Sequence, residues 1–342
     1  MADRLRVWEL DARAIRGFMA RTSGSVKLGY ALSSEEHGPL DLVAQAQRAE
    51  ESGFAFALIS DHFHPWVGKQ GQSPFVWSVL GGIAVRTERL RVGTGVTCPT
   101  IRVHPAIVAQ AAATAASMLP GRFFFGVGTG ENLNEHILGD RWPPAFVRRE
   151  MLREAVEVIR ELWRGELTSH RGAHFTVENA RLYTLPDRPP EIMVAAGGRE
   201  ATELAGQIGD GLVATAPDDE LVSTFNDAGG EGKPTFAQLT VCWAEDEDDA
   251  VSTALEVWPN AGLRGTLNQE LPLPSHFEQA AQMVSRDDIT KSVVCGPDQE
   301  QHRAAIQGYI DAGFDHVYVH QVGRDQDGFF RFYEREILPS FS

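Results

Sequence analysis

Between residues 26 and 320 the chain repeats one pattern: a short apolar run, a polar turn, then a longer stretch with apolar residues at helical spacing. The runs that read as strands are 26–32, 54–60, 90–96, 122–127, 191–196, 211–215, 236–243 and 317–320. They lack polar alternation, as expected of parallel strands covered on both faces. The helical stretches between them include 40–52, 77–86, an alanine-rich one at 105–118, a long amphipathic one at 148–163, and 199–208. Eight strands, each followed by a helix, predict a (β/α)8 barrel rather than an open doubly wound sheet. Two stretches break the rhythm. The segment containing Phe175 and Tyr183 reads as irregular, and 259–288, rich in Pro, Leu and Gln, reads as an insertion over the barrel mouth. The domain is expected to span 26–342. Residues 1–25 form an extension with five arginines and a possible helix over 9–20, without the apolar core or cleavage site of a signal peptide.

Composition narrows the function class. The formal charge is −16 over 342 residues, which excludes nucleic acid or an anionic membrane as the main partner, since both require a basic face. No apolar run approaches the roughly 20 residues needed to span a bilayer. Cys98, Cys242 and Cys295 are widely spaced and form no metal or redox motif, so reduced core thiols in a reducing, cytoplasmic compartment are expected. The expected partners are a small-molecule substrate and a second copy of the chain in a homodimer.

Barrel chemistry sits where strands end, so the residues after each strand are the candidates. The fourth strand runs into Gly126-Val-Gly-Thr-Gly-Glu131-Asn-Leu-Asn134. Gly126, Gly128 and Gly130 allow a tight turn and close approach of a ligand, while Thr129, Glu131 and Asn134 bring a hydroxyl, a carboxylate and an amide to one mouth. A dinucleotide loop would need glycine at 131, where a carboxylate would repel pyrophosphate. The alternative is a turn in which Glu131 and Asn134 merely cap a helix.

The second strand runs into Asp61-His62-Phe63-His64-Pro65-Trp66, which offers a carboxylate and an imidazole able to take up a proton near neutral pH. Here the alternative is a loop tied down by its own polar groups. His62-x-His64 also resembles the opening of a binuclear metal site, but the fifth and sixth strand ends, Ala195-Ala196-Gly197-Gly198 and Thr215-Ala216-Pro217, offer no further histidine, and no metal is expected. The Gly197-Gly198 pair before a helix has free N–H groups that suit a phosphate. His316 and His320 flank the last strand without a partner motif and read as core or loop residues.

Taken together, SDHFHPW at 60–66, GTGVTCPT at 93–100, GVGTGENLNE at 126–135, AAGG at 195–198 and GDG at 209–211 resemble the luciferase-like barrel superfamily, and within it the coenzyme F420-dependent glucose-6-phosphate dehydrogenase branch. The resemblance runs in order from about residue 26 to the C-terminus. It implies an 8-hydroxy-5-deazaflavin cofactor that exchanges hydride at C5. It implies His62 as the base for a substrate hydroxyl, Glu131 as the acid near N1 of the ring, and Trp66 as an indole shaping the reacting centre. Asp61, Thr129, Gly130 and Asn134 match cofactor contacts, and Ala195, Ala196, Gly197 and Gly198, with Thr215 beyond them, match the bed beside its phosphate and tail. Gly95 and Val96 fall where the family has a non-proline cis peptide.

The departures concern the substrate. Where the family's sugar-phosphate enzymes place two lysines and an arginine, an ungapped reading finds Asp218, Asn268 and Ser292. A dianionic phosphate would lose its charge-assisted bonds there and meet a like charge at Asp218. The expected substrate is therefore a non-phosphorylated alcohol, sugar or amino sugar, with Asp218 and Glu220 available to an ammonium group. Oxidation, reduction and redox-neutral epimerisation remain open. So do an FMN-dependent monooxygenase, a non-catalytic cofactor binder, and a sugar-phosphate dehydrogenase whose phosphate site has been rebuilt, with Arg264 as first suspect.

Overall fold

A computed structural model describes residues 26–341, so the helix expected within 1–25 lies outside the described residues. Eight parallel strands close into a ring: β1 (Lys27–Leu32), β2 (Phe56–Ile59), β3 (Arg91–Thr94), β4 (Phe123–Val127), β5 (Ile192–Ala195), β6 (Gly211–Ala214), β7 (Thr235–Cys242) and β8 (His316–Gln321). Gly29 pairs with both Phe56 and Tyr318, and Val213 with Phe236, so β8 returns to β1 and no edge of the ring is left open. The helices that follow are α1 (Pro39–Ser52), α2 (Val76–Ala84), α3 (Pro105–Met118), α4 (Ala145–Leu162), α5 (Arg199–Ile208), α6 (Asp219–Phe225), α7 (Glu247–Val257), α8 (Gln299–Asp311) and α9 (Gln326–Phe332). Their apolar faces and the outward side chains of the strands form the larger core, from Leu42 and Ala46 through Val108 and Ile159 to Ile306. The (β/α)8 expectation is met.

The inward side chains explain why the barrel opens at one end only. Phe56, Phe124 and Phe236 meet near the start of their strands with centroids 5.2 to 6.4 Å apart, and His316 stacks on Phe236 at 4.2 Å. Gly29 and Gly93 make the room for this plug: a Cβ at either position would lie 2.4 or 2.2 Å from the ring of Phe56 or Phe124. Burying each phenyl ring contributes about 1.5–3 kcal/mol. The N-terminal end of the barrel is thus filled among the described residues, and a ligand-sized cavity lies at the C-terminal mouth.

Two irregular stretches differ from expectation. Thr168–Arg171 and Thr176–Ala180 form an antiparallel hairpin outside the ring where no strand was expected. Its positions are mostly polar and partly exposed, so it lacks the apolar signal of a barrel strand. The segment read as an insertion over 259–288 opens with a short helical turn at Pro259–Gly262, and its last short helix, Arg286–Ser292, runs past 288. Val294–Cys295 then pairs with the end of β7. The other two insertion helices are Leu267–Glu270 and Pro274–Ala281.

Candidate active site

The C-terminal mouth encloses a cavity of about 1280 Å³ that reaches from the ends of β1 to β4 across to β5, β6 and the insertion. His62, Glu131 and Trp66, expected to meet from different strand ends, all line it. His62 follows β2 and Glu131 follows β4, and their side chains converge: His62 Nε2 lies 3.3 Å from Glu131 Oε2. A second carboxylate is equally close, Glu35 Oε1 at 3.4 Å. Glu35 comes from the turn after β1, which sequence reasoning passed over although it follows a strand like the others. The indole of Trp66 packs 5.0 Å from the imidazole and rests edge-on against Phe277 of the insertion.

The hydrogen bonds fix which nitrogen does what. His62 Nδ1 lies 3.2 Å from the carbonyl of His64, so it holds a proton and donates it there, leaving Nε2 to face the two carboxylates. Glu35 is buried, which opposes ionisation, but His62 and the Ser60 hydroxyl at 2.6 Å outweigh this and lower its pKa. For Glu131, burial and the neighbouring charge of Glu35 raise the pKa despite the attraction of His62. Burial likewise opposes charge on His62, yet Glu35 and Glu131 together raise its pKa above the usual imidazole value. Glu35 is thus shifted toward its charged form beside two groups, His62 and Glu131, that are both shifted toward holding a proton.

Asp61 and Asn134, expected as cofactor contacts, line the cavity but spend their polar atoms on the protein. Asp61 accepts from Thr97 Oγ1 and from Arg102 Nη2, each at 2.8 Å, and the Asp61 and Arg102 side chains are 3% and 7% exposed. Arg102 also meets Glu135, whose carboxylate accepts the Arg102 N–H at 2.8 Å; burial raises the Glu135 pKa to about 7 even so. Asn134 Oδ1 accepts from the backbone of Phe63 and His64, and its amide donates to Glu131 Oε2 at 3.0 Å. The amide thus ties the β2 loop to the β4 loop and orients Glu131. A short helix does follow at Asn132–Glu135, but Glu131 makes no side-chain cap on it and Asn134 bonds elsewhere, so the capping alternative is not met. The peptide Gly95–Val96 is cis, at the position the resemblance indicated, and both residues line the cavity beside Thr129 and Gly130.

His62 and His64 do not act as a pair. His64 Nδ1 lies 2.9 Å from the Leu133 carbonyl and its ring stacks on His136. His316 and His320 are both buried, as expected of core residues, and His320 also lines the cavity, with Nε2 on Glu36 at 3.1 Å.

Across the cavity, Ala195, Ala196, Gly197, Gly198 and Thr215 form a wall almost without side chains. A Cβ placed on Gly197 or Gly198 would find no atom within 4 Å, and α5 begins there with no side-chain cap on its first N–H groups. Arg149 and Arg199 stand at the same rim. A flat ring system with an anionic tail fits this bed, since bare backbone admits the ring and a helix N-terminus with arginines suits the tail.

Asn268 and Ser292 also line the cavity, but Asp218 does not: its carboxylate caps α6 by accepting the Glu220 N–H at 3.0 Å. Nor does Arg264 reach in, since it pairs with Asp288 at 2.8 Å on the outside. The cation next to the expected positions is Lys291, on the lining and one residue from Ser292.

A closed (β/α)8 barrel with this proton-sharing cluster and this bare bed defines a luciferase-like enzyme. The chain matches the luciferase-like monooxygenase family over residues 23–316 and belongs to that family. It is 35% identical to the F420-dependent glucose-6-phosphate dehydrogenase of Microbacterium testaceum, over 92% of this chain and 97% of that one. The corresponding protein of Nakamurella multipartita is 36% identical, over 93% and 97%. Among solved structures, an F420-dependent secondary alcohol dehydrogenase in complex with an F420-acetone adduct superposes with a TM-score of 0.86 at 30% identity, covering 93% of this chain and 99% of that one.

Proposed function

We propose that this cavity transfers hydride between C5 of coenzyme F420 and the carbinol or carbonyl carbon of a non-phosphorylated alcohol, sugar or amino sugar, redox-neutral epimerisation included. The chain is an F420-dependent oxidoreductase, like the relatives it is similar to. Bound F420 supplies the site that accepts or returns the hydride; everything else comes from the chain. The observation that supports the reading most is the position of His62 Nε2 between Glu35 and Glu131, with Nδ1 pinned by a carbonyl. In alcohol oxidation neutral His62 takes the hydroxyl proton as the carbinol hydrogen leaves, and Glu35 stabilises the imidazolium so formed. In carbonyl reduction the same nitrogen returns the proton. Glu131, held by Asn134 and inclined to keep its proton, stands beside the bed to hydrogen-bond the ring system where negative charge develops.

Support for a non-phosphorylated substrate is the neutrality of Asn268 and Ser292 on the lining. A second reading has its own observation: Lys291 beside Ser292 is a cation on the same wall, and a sugar-phosphate dehydrogenase could use it. One set of assays separates them. F420 is expected to bind more tightly than FMN by fluorescence titration, and F420 reduction is expected with alcohols or sugars but not with glucose 6-phosphate. Efficient turnover of glucose 6-phosphate that is lost in Lys291→Ala would establish the second reading. A homodimer in the cytoplasm belongs to the same proposal; exposed Phe75, Ile107 and Met118 around an apolar groove on α2 and α3 support self-association. Sedimentation as a monomer only would remove it.

A further inference from the structure

His320 stands on the cavity wall where sequence reasoning saw only core or loop. It is 2% exposed, and its Nε2 faces Glu36 Oε2 at 3.1 Å while the other oxygen of Glu36 accepts the Gly323 N–H at 2.9 Å. With the Glu36 carboxylate accepting from Nε2, the neutral imidazole leaves Nδ1 as an acceptor. That Nδ1 is buried and has no partner among the described residues. The edge-on indole of Trp258, 4.3 Å from the ring, holds the imidazole in this orientation. Two residues beyond Trp258 lies Asn260, and Asn268 donates its amide to the Asn260 carbonyl at 3.3 Å. Asn260 Oδ1 and Asn268 Oδ1 are likewise buried without partners, and both residues line the same cavity as His320.

Buried acceptors left bare cost stability unless something donates to them. Three of them, on residues that line one cavity, suit a ligand that brings hydrogens. A phosphate dianion brings none, and a simple alcohol has only the one it gives to His62.

We propose that His320, held by Glu36, forms with Asn260 and Asn268 a hydrogen-bond-accepting subsite for a second group of the substrate, a hydroxyl or protonated amine away from the reacting carbon. The substrate is then a polyol or amino sugar, with its reacting hydroxyl on His62 and a neighbouring donor on His320. This rests on the hydride-transfer reading and replaces Asp218 and Glu220, which are not on the cavity lining, as the groups that recognise an amine.

The test measures binding to the F420-loaded protein by calorimetry, with cyclohexanol, glucose, glucosamine and glucose 6-phosphate as probes. A nitrogen-15 histidine spectrum serves as a second readout. Glucose or glucosamine is expected to bind at least about tenfold more tightly than cyclohexanol, the scale of one or two good hydrogen bonds. It should also shift the His320 Nδ1 resonance toward that of a hydrogen-bonded acceptor. Both His320→Gln and the milder Glu36→Gln, which releases the tautomer, should reduce the preference to about twofold or less and leave cyclohexanol and F420 affinity unchanged. Equal binding of all the alcohols, an unmoved His320 resonance, or a preference retained in both folded variants would overturn the proposal. If instead the binding pattern appears but no alcohol reduces F420, no carbonyl oxidises reduced F420 and no substrate carbon is epimerised, the hydride-transfer reading fails while the subsite stands.

Discussion

The two halves of the barrel mouth are built on opposite principles. At the ends of β1 to β4 nearly every polar atom is engaged: Asp61 with Arg102 and Thr97, Asn134 with two loops, Glu35 with Ser60 and His62. At the ends of β5 and β6 the bed is mostly alanine, glycine and threonine, with Arg199 and Glu200 at its rim, and a Cβ added at Gly197 would have no atom within 4 Å. The first half fixes charged groups so that a proton moves over a short, set path. The second removes side chains so that a large flat group can lie down. Preorganisation comes from mutual hydrogen bonding in one case and from omission in the other.

If that contrast is right, the largest effect on stability should come from the engaged half. Replacing Arg102 by Met would leave Asp61 and Glu135 buried without their cation, and breaking such a pair costs about 3–5 kcal/mol. Chemical denaturation reads this directly, and a loss under about 1 kcal/mol would show that Asp61 is not held as described.

Next is the proton path. His62→Ala is expected to lower turnover about 100-fold or more with F420 affinity little changed. The pH dependence sharpens the point. Because Glu35 and Glu131 raise the His62 pKa, the neutral base needed for alcohol oxidation accumulates only above the ordinary imidazole value. Oxidation should therefore rise with pH through the raised pKa, and carbonyl reduction should fall over the same range. Glu35→Gln removes the larger of the two carboxylate influences and should move both limbs to lower pH. A profile that stays put in this variant would separate Glu35 from the proton path.

The smallest change in the protein itself is expected in the bare half. Gly197→Val should leave stability within about 0.5 kcal/mol, because a Cβ there has no protein atom within 4 Å. The same methyl groups would occupy the bed and weaken F420 binding by about tenfold or more, overpacking a fitted surface costing roughly 1–3 kcal/mol. Thermal unfolding beside fluorescence titration distinguishes the two, and unchanged F420 affinity would show that the cofactor lies elsewhere.

The eight strands were legible because each is a buried parallel run with no need for alternation, and burial is what an apolar run reports. The hairpin at 168–180 was not, since its mostly polar, partly exposed residues give no comparable signal. In the site, His62 and Glu131 were found from residue type at a strand end. Their partners were harder. A sequence shows that Asp61, Asn134 and Asp218 are polar, but not that Arg102, the β2 loop and the α6 N-terminus already satisfy them. Glu35 and the Glu36–His320 pair were missed for the converse reason. The latter is joined across 284 residues of chain, and only closure of the ring between β8 and β1 brings it together.

Asn134 has a further consequence, for engineering. One amide holds the backbone of Phe63 and His64 with its oxygen and Glu131 with its nitrogen, so the β2 and β4 loops form a single mechanical part. A chimera that imports either loop alone from a relative would arrive with the clasp half made. The two segments should be exchanged together, as one cassette, and the insertion at 259–292 with them, since Trp66 packs on Phe277 and Asn132 donates to the Glu270 carbonyl at 2.9 Å.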